Sequence, residues 1–139
     1  MFEKNYEERL KIWSEFRQSL NTSRTPFEDV IAFYKRAPYV SIHTDPWNRE
    51  MWPTPWQLID ENQYCDFVRV LGMCYSLQLT ERFKDASTEI HIGIDNNITQ
   101  YYLLMIDDTV IGWDDTVVSL SELPDTYVSQ RIYHMPSLY

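Results

Sequence analysis

Cys65 stands where a thiol can do chemistry, at the head of an apolar run whose pattern predicts a helix over residues 65–83. The first turn of a helix leaves backbone N–H groups free and its dipole favours negative charge, so a thiolate there is stabilised. A nucleophile is one reading of the residue; a small, half-buried side chain at a helix start is the other. A nucleophilic thiol also needs a base beside it. Three histidines are present: His43 in a loop before Asp45, His91 in a segment of period two, and His134 near the C-terminus. Asp107-Asp108 and Asp114-Asp115 have the chemistry for acid–base catalysis or a hard cation, yet paired aspartates between strands also make turns. We read them as turns and expect no metal and no cofactor. Cys74, nine positions after Cys65 in the same predicted helix, falls on nearly the opposite face, which rules out a disulfide between them. Two thiols without neighbouring His or Cys spacing make no zinc site.

The elements that must position these groups come from a chain of 139 residues, long enough for one domain, 1–139, with its own core. Five Trp and ten Tyr mean that core and surface alike are built from rings. With three Gly and no GxGxxG or Walker-type motif, there is no phosphate-cradling loop. A formal charge of −9 argues against nucleic acid and anionic membranes as partners, because both need clustered Lys and Arg. No apolar run approaches a membrane span and MFEKNYEERL has no signal-like apolar region, so the expected location is cytoplasmic, or a virion.

Along the chain, Tyr6, Leu10, Trp13, Phe16 and Leu20 recur at steps of three and four and predict an amphipathic helix over residues 3–20, within an N-terminal extension 1–24. Thr25-Pro26-Phe27-Glu28 opens a second helix, and Thr54-Pro55-Trp56-Gln57 a short third one, each with an N-cap residue, proline at the first helical position and a capping side chain. Residues 37–44 are extended, with Pro38 confining them to an edge or loop. After the long helix, TEIHIGI at 88–94 alternates with Ile90, Ile92 and Ile94 on one face and His91 on the other. Asn96-Asn97 predicts a two-residue hairpin turn, strands follow over 98–106 and 109–113, and 117–120 offers a fourth. Residues 125–139 read as a C-terminal tail rich in rings that docks on the domain or on a partner. The fold class is α+β: N-terminal helices and a central Cys-headed helix packed on an antiparallel sheet of three or four strands.

Several of these residues and their order resemble the transglutaminase-like fold. The run VIAFYKRAPYV at 30–40, Trp52-Pro53-Thr54-Pro55, Cys65 at the head of an apolar helix, a hairpin, and a strand ending in Trp113-Asp114-Asp115 are similar to the bacterial transglutaminase-like cysteine peptidases, over most of residues 27–125. The resemblance implies a papain-like core and a Cys, His and Asp in that chain order, a nucleophile, its base and an orienting acid. Carried over by position, Cys65 is the nucleophile and Asp114 the acid, while Tyr101 or Tyr102 occupies the base position. A phenol with an ordinary pKa of about 10 cannot take a thiol's proton near neutral pH. The family's Gly-Asp before the Cys is Gln63-Tyr64 here, and the gap after Thr-Pro leaves open whether Cys65 or Tyr64 stands at the nucleophile's position.

With a two-residue turn at Asn96-Asn97, Ile92 lies opposite Tyr101 and His91 opposite Tyr102, so isoleucines facing the helix turn His91 away from Cys65; a slip of one residue reverses the arrangement. The resemblance therefore implies a scaffold that has lost its chemistry and serves as a structural or protein-interaction module, a subunit of a larger assembly, a viral one included, with a protein partner or self-association. The alternative is an active cysteine hydrolase or acyl transferase with Cys65 as nucleophile. Candidate binding residues are Trp47, Trp52, Trp56 and Tyr64, with the Trp- and Pro-rich loop either covering the core or forming a recognition surface, and Trp47 its more exposed ring.

Overall fold

A computed structural model describes residues 1–41 and 44–138. Among the described residues four α-helices, α1 (Tyr6–Leu20), α2 (Pro26–Lys35), α3 (Pro55–Glu61) and α4 (Asp66–Gln78), precede five strands, β1 (Thr88–Asp95), β2 (Thr99–Ile106), β3 (Thr109–Trp113), β4 (Thr116–Ser119) and β5 (Tyr127–His134). The strands form one antiparallel sheet in the order β4-β3-β2-β1-β5. The helices lie on one face of it, with α4 packed on β1 and β2 and touched by α1, α2 and α3.

Local chemistry accounts for most boundaries. Thr54 and Gln57 form a complete capping box at α3, and Asn62, in the left-handed region at φ 53°, ends that helix. At α2 the predicted cap takes another form: the Thr25 side chain makes no cap bond, and its hydroxyl donates to the Asp29 carboxylate at 3.0 Å instead. The helix starts on Pro26 alone as its fixed N1 residue. α4 is shorter than its apolar pattern, because at Leu79 the chain turns and the buried Thr80 hydroxyl donates back to the Leu77 carbonyl at 2.6 Å. From Phe67 to Gln78 every residue except Arg69 is buried, as a helix surrounded by neighbours requires.

Residues 127–134 correct the expectation of a tail. They are an edge strand paired with β1 along its length. A bulge at Gln130, between the Ile92–Arg131 and Gly93–Ser129 pairs, breaks the alternation and so hides the strand from a reading by period two. The predicted fourth strand is β4, and the sheet has five. The first helix contributes to the core: Trp13 and Leu20 of α1 are fully buried.

The core is tied by one hydroxyl. Ser76 of α4 accepts from the Trp13 indole N–H at 2.9 Å and from the Tyr34 hydroxyl at 2.8 Å, and donates to the Gly72 carbonyl at 2.8 Å, so three helices meet on its Oγ. Gly72 makes room for this, since a Cβ there would sit 2.6 Å from the Tyr34 ring. Across the sheet a smaller cluster of Leu103, Met105 and Val110 is covered by Tyr101, Trp113, Leu123 and Tyr127. Among the described residues no helix is long and apolar enough to cross a membrane.

Ser76→Ala strands a buried indole N–H and a buried hydroxyl together. The expected loss is about 2–4 kcal/mol in denaturant unfolding, a large fraction of the ~5–15 kcal/mol that holds a domain of this size. A loss below about 0.5 kcal/mol would show that the two rings are held by packing alone.

Candidate functional site

Cys65 is the N-cap residue of α4, with extended backbone that turns into the helix at Asp66. Its thiol makes no cap hydrogen bond, and the residue is 6% exposed. It lies on the wall of an open cavity of about 360 Å³. Four rings line that cavity, Tyr39, Trp47, Phe67 and Tyr102, together with the carboxylates of Asp45 and Asp66 and the Gln100 amide. The wall is set by local structure. Pro38 and Val40 exchange backbone hydrogen bonds with Tyr64 in a short parallel bridge, which brings Tyr39 alongside the start of α4. The Asp45 carboxylate accepts from the Trp47 N–H at 2.9 Å, an Asx turn that fixes the loop carrying this ring.

The tyrosine opposite the thiol is decided by sheet register. Asn96 and Asn97 both have positive φ, and Ile98 N–H donates to the Asp95 carbonyl at 3.1 Å, so the tight turn forms. Pairing nevertheless closes at Asp95–Thr99, leaving Ile98 as an extra residue. This corrects the predicted register by one: Ile92 pairs with Tyr102 and His91 with Leu103. Tyr102 therefore shares the isoleucines' face and packs on Phe67 of α4 at 5.5 Å between ring centroids, edge to face. Tyr101 points to the other face, where its ring stacks on Trp113 at 4.2 Å. The slip moves the tyrosines and leaves His91 where it was, because Ile90 and Ile92 of its own strand still face the helices.

Tyr102 has little capacity to act as a base. Burial, then the nearby Cys65 thiol and the Asp66 and Asp45 carboxylates, hold its phenol above the ordinary range. Its hydroxyl donates to Gln100 Oε1 at 3.2 Å. Proton transfer from the thiol needs an acceptor, and this phenol is a donor already engaged.

The remaining candidates are dispersed. Asp114 and Asp115, at φ 51° and 56°, are the two central residues of the β3–β4 hairpin turn. That turn lies by α2, with Asp115 4.0 Å from the Lys35 ammonium, and the Asp114 carboxylate acts on Tyr101 on the far face of the sheet. Among the described residues no hydrogen bond links Asp114 to Cys65 or Tyr102. His91 is buried on the far face, its Nε2 3.0 Å from Glu89 Oε1 and its Nδ1 2.7 Å from Ser129 Oγ. His134 Nδ1 lies 2.9 Å from the other Glu89 oxygen. His43 and Tyr139 lie outside the described residues.

Of the predicted binding rings, Trp47 is 42% exposed and lines the cavity. Trp56, edge-on to Trp13 and not part of the cavity lining, is 50% exposed, so it and not Trp47 is the more exposed ring. Trp52 is buried between Phe67 and Tyr133, at 4.8 and 4.7 Å. Tyr64 is fully buried in a cluster with Phe2 and Tyr34 and reaches no surface, because the bridge to Tyr39 turns its side chain inward while Cys65 takes the helix cap. Tyr39, Asp45, Asp66 and Gln100 were not singled out by sequence. The available signal was their nearness in the chain to Cys65, Trp47 and Tyr102; what assembles them is the bridge and the register.

No protein-family model, no curated protein and no solved structure matches the chain.

The Tyr64 hydroxyl is buried with no hydrogen-bond partner among the described residues, and burial drives its pKa well above the ordinary phenol range. Unfolding frees that phenol to ionise from pH about 10 upward while the folded state keeps the proton, so the residue costs stability as pH rises past 10. Tyr64→Phe is expected to leave stability at pH 7 unchanged or to raise it by up to about 1 kcal/mol, and to lessen the loss between pH 9 and 11 in chemical denaturation. A clear loss at pH 7 would mean that the hydroxyl has a partner.

Proposed function

We propose that the domain is a protein-interaction module on a transglutaminase-like scaffold without catalytic function, working as a subunit of a larger assembly, with the cavity around Cys65 as its recognition surface. The observation that carries this reading is the phenol across from the thiol: Tyr102 keeps its proton and donates it to Gln100, where a working site would hold an imidazole. The placement of Asp114 in a turn beside α2 supports it, since the acid that the motif order supplies has no base to orient among the described residues. Rings with few rotamers on the cavity wall suit recognition, because they bury much area for little lost freedom. Both cysteines are buried and unpaired, which fits a reducing compartment such as the cytosol. A net charge of −9 favours a protein partner over nucleic acid or an anionic membrane.

One observation favours the second reading, a cysteine hydrolase or acyl transferase: Cys65 caps a helix and lies on the wall of an open cavity. Labelling of the native protein with iodoacetamide, read by mass spectrometry, separates the two. The module predicts slow modification of Cys65 that speeds roughly tenfold or more on unfolding, since a thiol so little exposed reacts mainly through opening. Fast modification confined to Cys65 in the native state overturns the module in favour of the enzyme.

A further inference from the structure

The cavity has a chemical selectivity that follows from its walls. Phe67 and Tyr102 meet at nearly a right angle, 81°, and form an aromatic corner, with Tyr39 and Trp47 also lining the cavity. Aromatic faces attract cations through their quadrupoles. Two carboxylates, Asp45 and Asp66, line the same cavity, and both are open to solvent. Asp66 has no hydrogen-bond partner among the described residues, and Asp45 uses only one oxygen, for the Trp47 N–H. The negative field is felt inside, since both carboxylates help to hold the Tyr102 phenol protonated.

Rings and carboxylates together discriminate among ligands. A quaternary ammonium needs rings and no hydrogen-bond acceptor, and a lysine ammonium is a strongly hydrated point charge. A guanidinium is planar, stacks on rings and donates two parallel hydrogen bonds to a carboxylate. The chain itself shows the pairing: Arg69 stacks on Tyr39 at 5.2 Å while donating to the Ala37 carbonyl at 3.3 Å, and it is not among the residues lining the cavity. One face of that ring is thus committed to a guanidinium within the molecule. We infer that the cavity at the head of α4 receives an arginine side chain from a partner protein, with the guanidinium stacked on the Tyr102 and Trp47 rings and bonded to Asp66 and Asp45. The inference rests on the reading of this face as a recognition surface and names what it recognises. The surplus of acidic residues in the whole chain draws a basic segment toward it.

The test uses the full chain and three small probes, the N-acetyl N-methylamides of arginine, lysine and citrulline, titrated while amide, indole and ring resonances are followed by NMR. The arginine probe is expected to shift the Trp47 indole and the Tyr102 and Asp66 signals saturably, with the neutral citrulline isostere roughly tenfold weaker or more and the lysine probe in between. Asp66→Asn should weaken the arginine probe about fivefold or more and flatten its salt dependence. Tyr102→Phe should leave binding nearly unchanged because the ring is kept, while Tyr102→Leu should weaken it. Variants are compared only after circular dichroism shows the native fold.

Citrulline binding as tightly as arginine, or no saturable shift at the cavity with any probe, overturns the inference. Lysine binding tighter than arginine overturns the choice of guanidinium. Failure of the underlying reading appears separately, as rapid native labelling of Cys65, which the probe titrations do not measure.

Discussion

One extra residue in a hairpin governs what the cavity can be. Ile98 is left out of the pairing between β1 and β2, so every side chain of β2 stands one place from where a plain two-residue turn would put it. Because side chains alternate between faces, that shift exchanges Tyr101 for Tyr102 on the helix side. Tyr102 then packs against Phe67 in the first turn of α4 and faces the thiol, and Tyr101 goes to the outer cluster with Trp113. His91 is fixed independently by the isoleucines that flank it in its own strand and by Ser129 and Glu89 on the outer face. Phenol toward the cysteine and imidazole away from it are therefore both consequences of strand geometry.

The other fixed point is α4. A helix buried on nearly all sides cannot shift along its axis without unseating its neighbours, and the Ser76 hydroxyl locks Trp13 of α1 and Tyr34 of α2 to it. Its N-terminus is placed as firmly, because the chain just before it is bonded to residues 38–40. Cys65 is consequently held on a rigid wall between rings and carboxylates. Such a wall suits recognition, in which a preformed surface loses little freedom on binding.

Periodicity carried most of the helical half in the sequence. Trp13 and Leu20 mark the buried stripe of α1, with Tyr6 partly buried beside it, and Thr54 with Gln57 is a cap that can be read without coordinates. The sheet was less legible, for two reasons of the same kind. Bulges at Ile98 and Gln130 each insert one residue, which leaves composition unchanged while breaking or displacing the period of two. The first shifted the register of β2 and the second concealed β5, whose burial of Tyr133 under Trp52 depends on contacts distant in sequence. The candidate site divided along similar lines. Cys65 and Trp47 stood out by residue type and position, whereas Tyr39, Asp66 and Gln100 acquire significance only when the bridge and the hairpin gather them around one cavity. Tyr64 illustrates the converse: a tyrosine in a loop-like stretch that tertiary packing turns wholly inward.

The central claim is that the thiol at the start of α4 faces the Tyr102 phenol and, among the described residues, no imidazole. Nuclear Overhauser effects in the native protein, with histidine and tyrosine rings selectively labelled, measure this directly. The account predicts cross-peaks from the Tyr102 ring to Phe67 and to the β-protons of Cys65, and none from a histidine ring to Cys65. A strong cross-peak between any imidazole and the Cys65 β-protons would contradict it.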